Sequence, residues 1–187
     1  MTWKSHGAIA AAITLPFSPA LVPVAVLGST APDWSEWILR FFSVRIQHRG
    51  VTHYVYIPLA ILLVALFAMP ISAVLSAALA AFGAGYLSHW IADGFTVSGV
   101  PVSGSSAYRV HFFGGRFRTG DMGEYIFAFG LLALSVFFFA PSMHALTSSL
   151  GASDARAFNA WFVDYRDLYD KHIIDEYEAV LTRFKFF

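Results

Sequence analysis

The chain contains no cysteine. Disulfides and thiolate zinc sites are therefore excluded, and any metal must be held by His, Asp and Glu. Charge is scarce as well. Asp, Glu, Lys and Arg make up 13% of the residues, where a soluble domain carries about 25%. Neither sign is in excess: twelve basic residues balance twelve acidic ones, which argues against nucleic acid as a partner. Residues 54–88 hold no Asp, Glu, Lys or Arg at all. Internal repeats and low-complexity linkers are absent too. What remains is apolar, 57% of 187 residues with mean hydropathy +0.61. That is the composition of a membrane protein, of a length suited to one domain.

A spanning helix needs about 20 apolar residues. The uncharged run is too long for one helix and carries Pro70 near its middle. It reads as two antiparallel helices, Tyr54–Met69 and Ile71–Asp93. The second has Ala77, Ala81 and Gly85 at four-residue spacing, and Ser76, Ala80, Ala84 and Ser88 likewise. Small residues so spaced let helices approach closely in a bilayer. Residues 125–143 form a third span. Residues 7–28 are apolar but cut by "PFSPALVP". They make either one kinked span or a re-entrant hairpin whose ends share a membrane side. Pro16 and Pro19 interrupt the run and apolar character resumes after them, which argues against a cleaved leader.

Residues 147–187 differ. Phe158, Trp161, Phe162, Tyr165, Leu168, Tyr169, Ile173, Tyr177, Val180, Leu181 and Phe184 recur at spacings of three and four, the signature of an amphipathic helix. It is expected to lie on the membrane surface or the bundle, with homo-oligomerisation as the alternative. Lys4, Arg40, Arg45, Arg49, Arg109, Arg116 and Arg118 flank the apolar segments. In the hairpin topology all seven fall on one side, which the positive-inside rule makes cytoplasmic.

Seven residues of metal-ligating type sit at the edges of the apolar segments, at the same face in that topology: His6, Asp33, His48, His53, His89, Asp93 and Glu124. His6 opens the first segment, where the helix dipole favours neutral imidazole, the ligand form. Thr30 and Asp33 have capping-box spacing, so Asp33 could simply start a helix. His48 and His53 are five apart and would point about 140° apart on a helix. A turn at Gly50, with Thr52 capping the next helix, brings them together instead. In "HWIAD", His89 and Asp93 share a helical face. Gly94 follows as a helix-stopping residue. Asp93 then lies at a helix C-terminus, where the dipole disfavours an anion and a cation is needed. Glu124 suits the first turn of the third span. Four histidines and three carboxylates exceed one four-coordinate zinc and suit two ions. Arginine forks on that face match phosphate oxygens, or they simply set topology.

"GSTAPDWSE", "HRGVTHYV" and "GYLSHWIADGFTVSGVPV" resemble the YdjM-type family of bacterial inner-membrane metal-dependent hydrolases over residues 6–124. That family is in turn similar to the zinc-dependent phospholipase C and nuclease group. The resemblance implies His6, Asp33, His48, His53, His89 and Asp93 as metal ligands, with Glu124 a weaker candidate. One position departs from the pattern: Ser35 stands where the second aspartate of Pro-Asp-x-Asp is expected, and Glu36 replaces it only if the local geometry shifts.

The expectation is an all-α polytopic membrane bundle. Residues 1–146 would form a hydrolase-like domain of three or four membrane segments, and residues 147–187 the amphipathic helix. The expected activity is metal-dependent hydrolysis of a phosphoester in a lipid or lipid-linked substrate, at the inner membrane of a bacterium. Asp33 and Glu36 are the expected catalytic carboxylates, and Arg49, Arg116 and Arg118 the expected phosphate-binding residues. One or two divalent ions are expected, zinc first, then manganese or iron. The rivals are a structural metal site in a subunit of a larger membrane complex, and a metal-ion transporter. A transporter needs ligands near the bilayer midplane, whereas these cluster at helix ends.

Overall fold

A computed structural model describes residues 1–44, 49–104 and 108–149. Five helices carry the fold: α1 (Trp3–Thr14), α2 (Val22–Phe41), α3 (Tyr56–Ala68), α4 (Ala73–Gly94) and α5 (Met122–Ser149). Short 3-10 turns occupy Pro19–Leu21, Val51–His53 and Phe112–Gly114. The expected amphipathic helix lies outside the described residues, apart from its first few positions.

Proline sets two of the boundaries. Proline has no N–H to continue the helical hydrogen-bond ladder. α1 ends with Leu15 as its C-cap, just before Pro16, and α3 ends with Met69 as its C-cap, just before Pro70. Ser72 then caps α4 by accepting a hydrogen bond from the Leu75 N–H. The segment broken by "PFSPALVP" is therefore two packed helices joined by a 3-10 turn. Its outer ends, His6 and Asp33, arrive at the same place, as the hairpin alternative requires.

Helix α4 is the central element, packed by α1, α2 and α3, while α5 packs on α1. The contact between α2 and α4 is backbone to backbone. A Cβ added at Gly28 would overlap the Phe82 carbonyl, and one added at Gly85 would overlap the Ala25 carbonyl. Ala10, Ala25 and Ala81 are buried together beside this seam. Hydroxyl groups bridge the other helices: Ser76 Oγ donates to the Ala65 carbonyl at 2.8 Å, and Ser135 Oγ to the Ala12 carbonyl at 2.8 Å. The small-residue spacing of α4 is thus used, and Gly28 is its unforeseen partner.

α4, from Val74 to Gly94, is the one described helix both long and apolar enough to cross a membrane. At 1.5 Å per residue it reaches about 30 Å, the hydrocarbon thickness. The apolar helices Tyr56–Ala68 and Met122–Phe138 are shorter. Leu59, Leu63, Leu66, Phe67, Leu75 and Phe137 are all exposed on these helices.

Four local expectations change. Helix α2 begins at Val22 and runs through Pro32, so Asp33 lies within a helix and caps nothing. Thr30 Oγ1 instead bonds back to the carbonyls of Val26 and Leu27. Thr52 sits in a 3-10 turn, and α3 starts at Tyr56 without a side-chain cap. The turn before it is made by Arg49 at φ 57°, while Gly50 has φ −91°. Gly94 stays helical, and its bare Cα is needed because the Phe112 ring packs against it. The chain is also not wholly α. Val100–Pro101 pairs antiparallel with Arg109–Val110 in a small ribbon between α4 and α5.

Candidate metal centre

The site is assembled at the C-terminal end of α4. His89 and Asp93 lie one turn apart there, both 1% exposed, with His89 Nε2 3.6 Å from Asp93 Oδ2. α1 delivers His6. Its ring stacks on His89 at 3.7 Å between centroids, and its Nε2 lies 3.4 Å from Asp93 Oδ1. Among the described residues, neither ring nitrogen of this buried histidine has a hydrogen-bond partner. A buried polar atom without a partner costs about 1–3 kcal/mol, so His6 is short of one interaction.

α2 and the 49–53 turn deliver the other half. Asp33 Oδ1 is 3.4 Å from His53 Nε2. Glu36 Oε1 is 3.2 Å from Nδ1 on the other side of the same ring. Glu36 Oε1 also accepts the Arg49 backbone N–H at 2.7 Å and the Thr52 hydroxyl at 3.2 Å. The Tyr86 hydroxyl donates to the Thr52 carbonyl, which ties this turn to α4. Pro32 has no N–H for the Gly28 carbonyl one turn back in α2. The adjacent Ser29 carbonyl accepts from His89 Nδ1 at 2.6 Å.

These contacts define the His89 tautomer. A carbonyl can only accept, so Nδ1 carries the proton in His89; this is assigned from the acceptor. Its Nε2 then presents a lone pair to His53 Nε2 at 3.2 Å. His53 has an acceptor carboxylate at each ring nitrogen, Glu36 at Nδ1 and Asp33 at Nε2, and a proton or a cation between the two Nε2 atoms removes their repulsion. His53 accordingly holds a proton more strongly than an ordinary imidazole. Burial opposes its charge, but the Asp33 and Glu36 carboxylates bonded to the ring outweigh that penalty, with help from Asp93.

A metal ion satisfies the same geometry. Two ligands about 2.1 Å from a tetrahedral ion stand about 3.4 Å apart. The Nε2–Nε2, His6–Asp93, His53–Asp33 and His89–Asp93 separations run from 3.2 to 3.6 Å. Two sets of three ligand atoms result, His6, His89 and Asp93, and Asp33, His53 and His89. Either could hold a metal ion, and His89 belongs to both. The first set is fully buried, whereas Asp33 in the second is partly exposed.

Arg49 supplies the cation that Asp93 needs at the helix end. Its Nη2 is 3.0 Å from Asp93 Oδ1, and Nη1 donates to Thr96 Oγ1 at 3.2 Å and the Gly99 carbonyl at 2.8 Å. The Met1 amino group also contacts Asp93. Arg49 thus braces the site. Arg116 and Arg118 are exposed, and Arg116 donates to the Phe113 carbonyl at 3.2 Å. Glu124 is buried and belongs to neither ligand set. It accepts the Thr2 N–H, the Thr2 hydroxyl and the Gly120 N–H at 2.6, 2.8 and 2.9 Å, clamping the start of α1 to the loop before α5. His48 lies outside the described residues.

A cavity of about 890 Å³ opens beside the ligands. Asp33, Glu36 and Asp93 line it, together with Arg49, the exposed Arg40 and Arg109, and the indoles of Trp3, Trp34 and Trp37. Arg40 and the tryptophans were not expected in the site. The signal was present: positions 33, 36, 37 and 40 repeat at helical spacing and share one face of α2.

No curated protein and no solved structure matches the chain. Residues 1–138, which include all five helices apart from the end of α5, match the family described as YdjM inner membrane protein. The chain that carries this His and Asp cluster belongs to the YdjM inner membrane protein family.

Proposed function

We propose that the protein is a membrane-embedded, metal-dependent hydrolase of a phosphoester in a lipid or lipid-linked substrate. The observation that carries this reading is the partly exposed Asp33, which joins the ligand set of His53 and His89 to a cavity of headgroup size. A catalytic metal site has three protein ligands and an open position, whereas a structural one is closed. The buried set of His6, His89 and Asp93 has the closed character. It favours a structural ion there, and with it the second reading, a non-enzymatic subunit of a membrane complex.

A divalent ion, zinc before manganese or iron, would act as a Lewis acid on a phosphoryl oxygen and acidify water. The chain's own residues do the rest. His89 offers Nε2 because Ser29 holds Nδ1. Glu36 orients His53 through its Nδ1, so it serves as a positioning carboxylate in place of the catalytic role first expected. Asp33, at the cavity wall, is the carboxylate placed to orient attacking water. α3, α4 and α5 are taken as membrane segments and α1–α2 as a re-entrant hairpin. The site then lies at the cytoplasmic interface of the inner membrane, and the tail is taken to lie on the membrane surface or the bundle, with homo-oligomerisation as the alternative.

The test is turnover. Full-length protein loaded with zinc or manganese is expected to release phosphate or a phosphorylated headgroup from a panel of phospholipids and lipid phosphates. His89→Ala should be inert. Wild-type protein that holds metal but turns over nothing across metals and lipids would favour the structural reading.

A further inference from the structure

The cavity's side-chain charges specify the anion more closely than the ligand cluster does. Three carboxylates, Asp33, Glu36 and Asp93, face three guanidinium groups, Arg40, Arg49 and Arg109. The lining side chains are therefore neutral as a set, the Met1 amino group that also lines the cavity adds one positive charge, and one divalent ion raises the excess to three. A phosphomonoester dianion cancels more of that excess than a phosphodiester, which carries one charge.

The three arginines are not equivalent. Arg49 is buried and spends its guanidinium on Asp93, Thr96 and Gly99. Arg40 is half exposed, with a long contact of 3.7 Å to Glu36. Arg109 is exposed and bonds the Ser98 carbonyl through Nη1 at 3.3 Å. A guanidinium has five N–H donors, so both retain donors toward the cavity. Trp3 and Trp37, 56% and 71% exposed, line the same space. Indoles favour the boundary between water and hydrocarbon. Here they offer an apolar surface beside the arginines.

Resting on the metal-site reading above, we propose that the cavity takes the dianionic phosphate of a membrane phosphomonoester, and that Arg40 and Arg109 select it. The reaction is then a phosphatase step. Water's oxygen bonds to phosphorus, the bond from phosphorus to the lipid oxygen breaks, and one water proton ends on the lipid alcohol. The other stays with the released phosphate.

The test uses full-length, zinc-loaded protein in phosphatidylcholine nanodiscs, titrated calorimetrically with inorganic phosphate and with dimethyl phosphate. Phosphate is expected to bind only to the zinc-loaded form, about tenfold or more tighter than the monoanionic diester. Arg40→Gln and Arg109→Gln should each weaken phosphate about tenfold with zinc content unchanged. Phosphatidate included in the discs should compete with phosphate. Competition by glycerol 3-phosphate but not by phosphatidate would overturn the membrane source. Zinc-loaded protein that ignores phosphate, prefers the diester or ignores both substitutions overturns this inference and leaves the metal site standing. Failure to hold zinc overturns the reading beneath it. The phosphate and diester comparison needs no variant, so a misfolded variant does not remove the test.

Discussion

Glu36 separates an orienting role from a ligand role. Its Oε1 sits on Nδ1 of His53, on the far side of the ring from the Nε2 that faces His89. Glu36→Gln keeps the shape and an acceptor oxygen for the Arg49 N–H and the Thr52 hydroxyl, but removes the charge. Loss of such a partner typically weakens metal binding 10–100-fold, about 1.4–2.7 kcal/mol. The pH dependence follows with a definite sign. His53 holds its proton above the ordinary imidazole value of 6.5, and a metal must displace that proton. Affinity in the wild type should climb with pH through this raised value and then level off. Without the Glu36 charge, the ring loses its proton more easily, so the variant should level off at lower pH. Competition against a chelating dye across pH measures both effects. Wild-type affinity in the variant would refute the orienting role. Complete loss of metal, matching His89→Ala, would make Glu36 a ligand.

Other expectations concern the scaffold. Gly85→Ala should destabilise the protein by about 1–3 kcal/mol or more, because the new methyl meets the Ala25 backbone; thermal unfolding in detergent reads it, and an unchanged midpoint would contradict the seam. Arg49→Met leaves Asp93 with the Met1 amino group but without its guanidinium partner and should lower the stability of metal-free protein by roughly 1–3 kcal/mol. Added zinc should recover part of that loss. Glu124→Ala should cost roughly 3 kcal/mol through the unpaired Thr2 and Gly120 donors while zinc stoichiometry stays at the wild-type value. In metal-free protein the raised pKa of His53 adds stability below pH 6.5, and that increment should vanish as pH rises through the folded value.

Much of the site was readable as single residues, and less of it as geometry. "HWIAD" disclosed itself, because i,i+4 spacing on a helix fixes the relation between His89 and Asp93, and the dipole demanded the cation that Arg49 provides. His53 belonged to the same signal, but its neighbours depended on a turn made at Arg49, where a non-glycine residue takes positive φ. Asp33 was named from its place at the edge of an apolar segment. The competing reading of its spacing as a helix start fails, because α2 runs on through Pro32. Glu124 has the residue type of a ligand and the surroundings of a clamp, and only its three donors reveal the difference. Gly28 went unseen because its need arises from α4, more than fifty residues later. The arginines were legible as a group, but their division of labour was not. Burial assigns Arg49 to the scaffold and leaves Arg40 and Arg109 at the cavity.

The measurement closest to the central claim is the metal content of gently purified full-length protein, beside His89→Ala and Asp33→Ala. His89 stands in both ligand sets and Asp33 in one. His89 has one free Nε2 lone pair and so serves one set at a time; the wild type is expected to carry one transition-metal ion per chain, His89→Ala none, and Asp33→Ala less than the wild type. Wild-type protein free of transition metal, or a His89→Ala variant that keeps the full complement, would contradict the account.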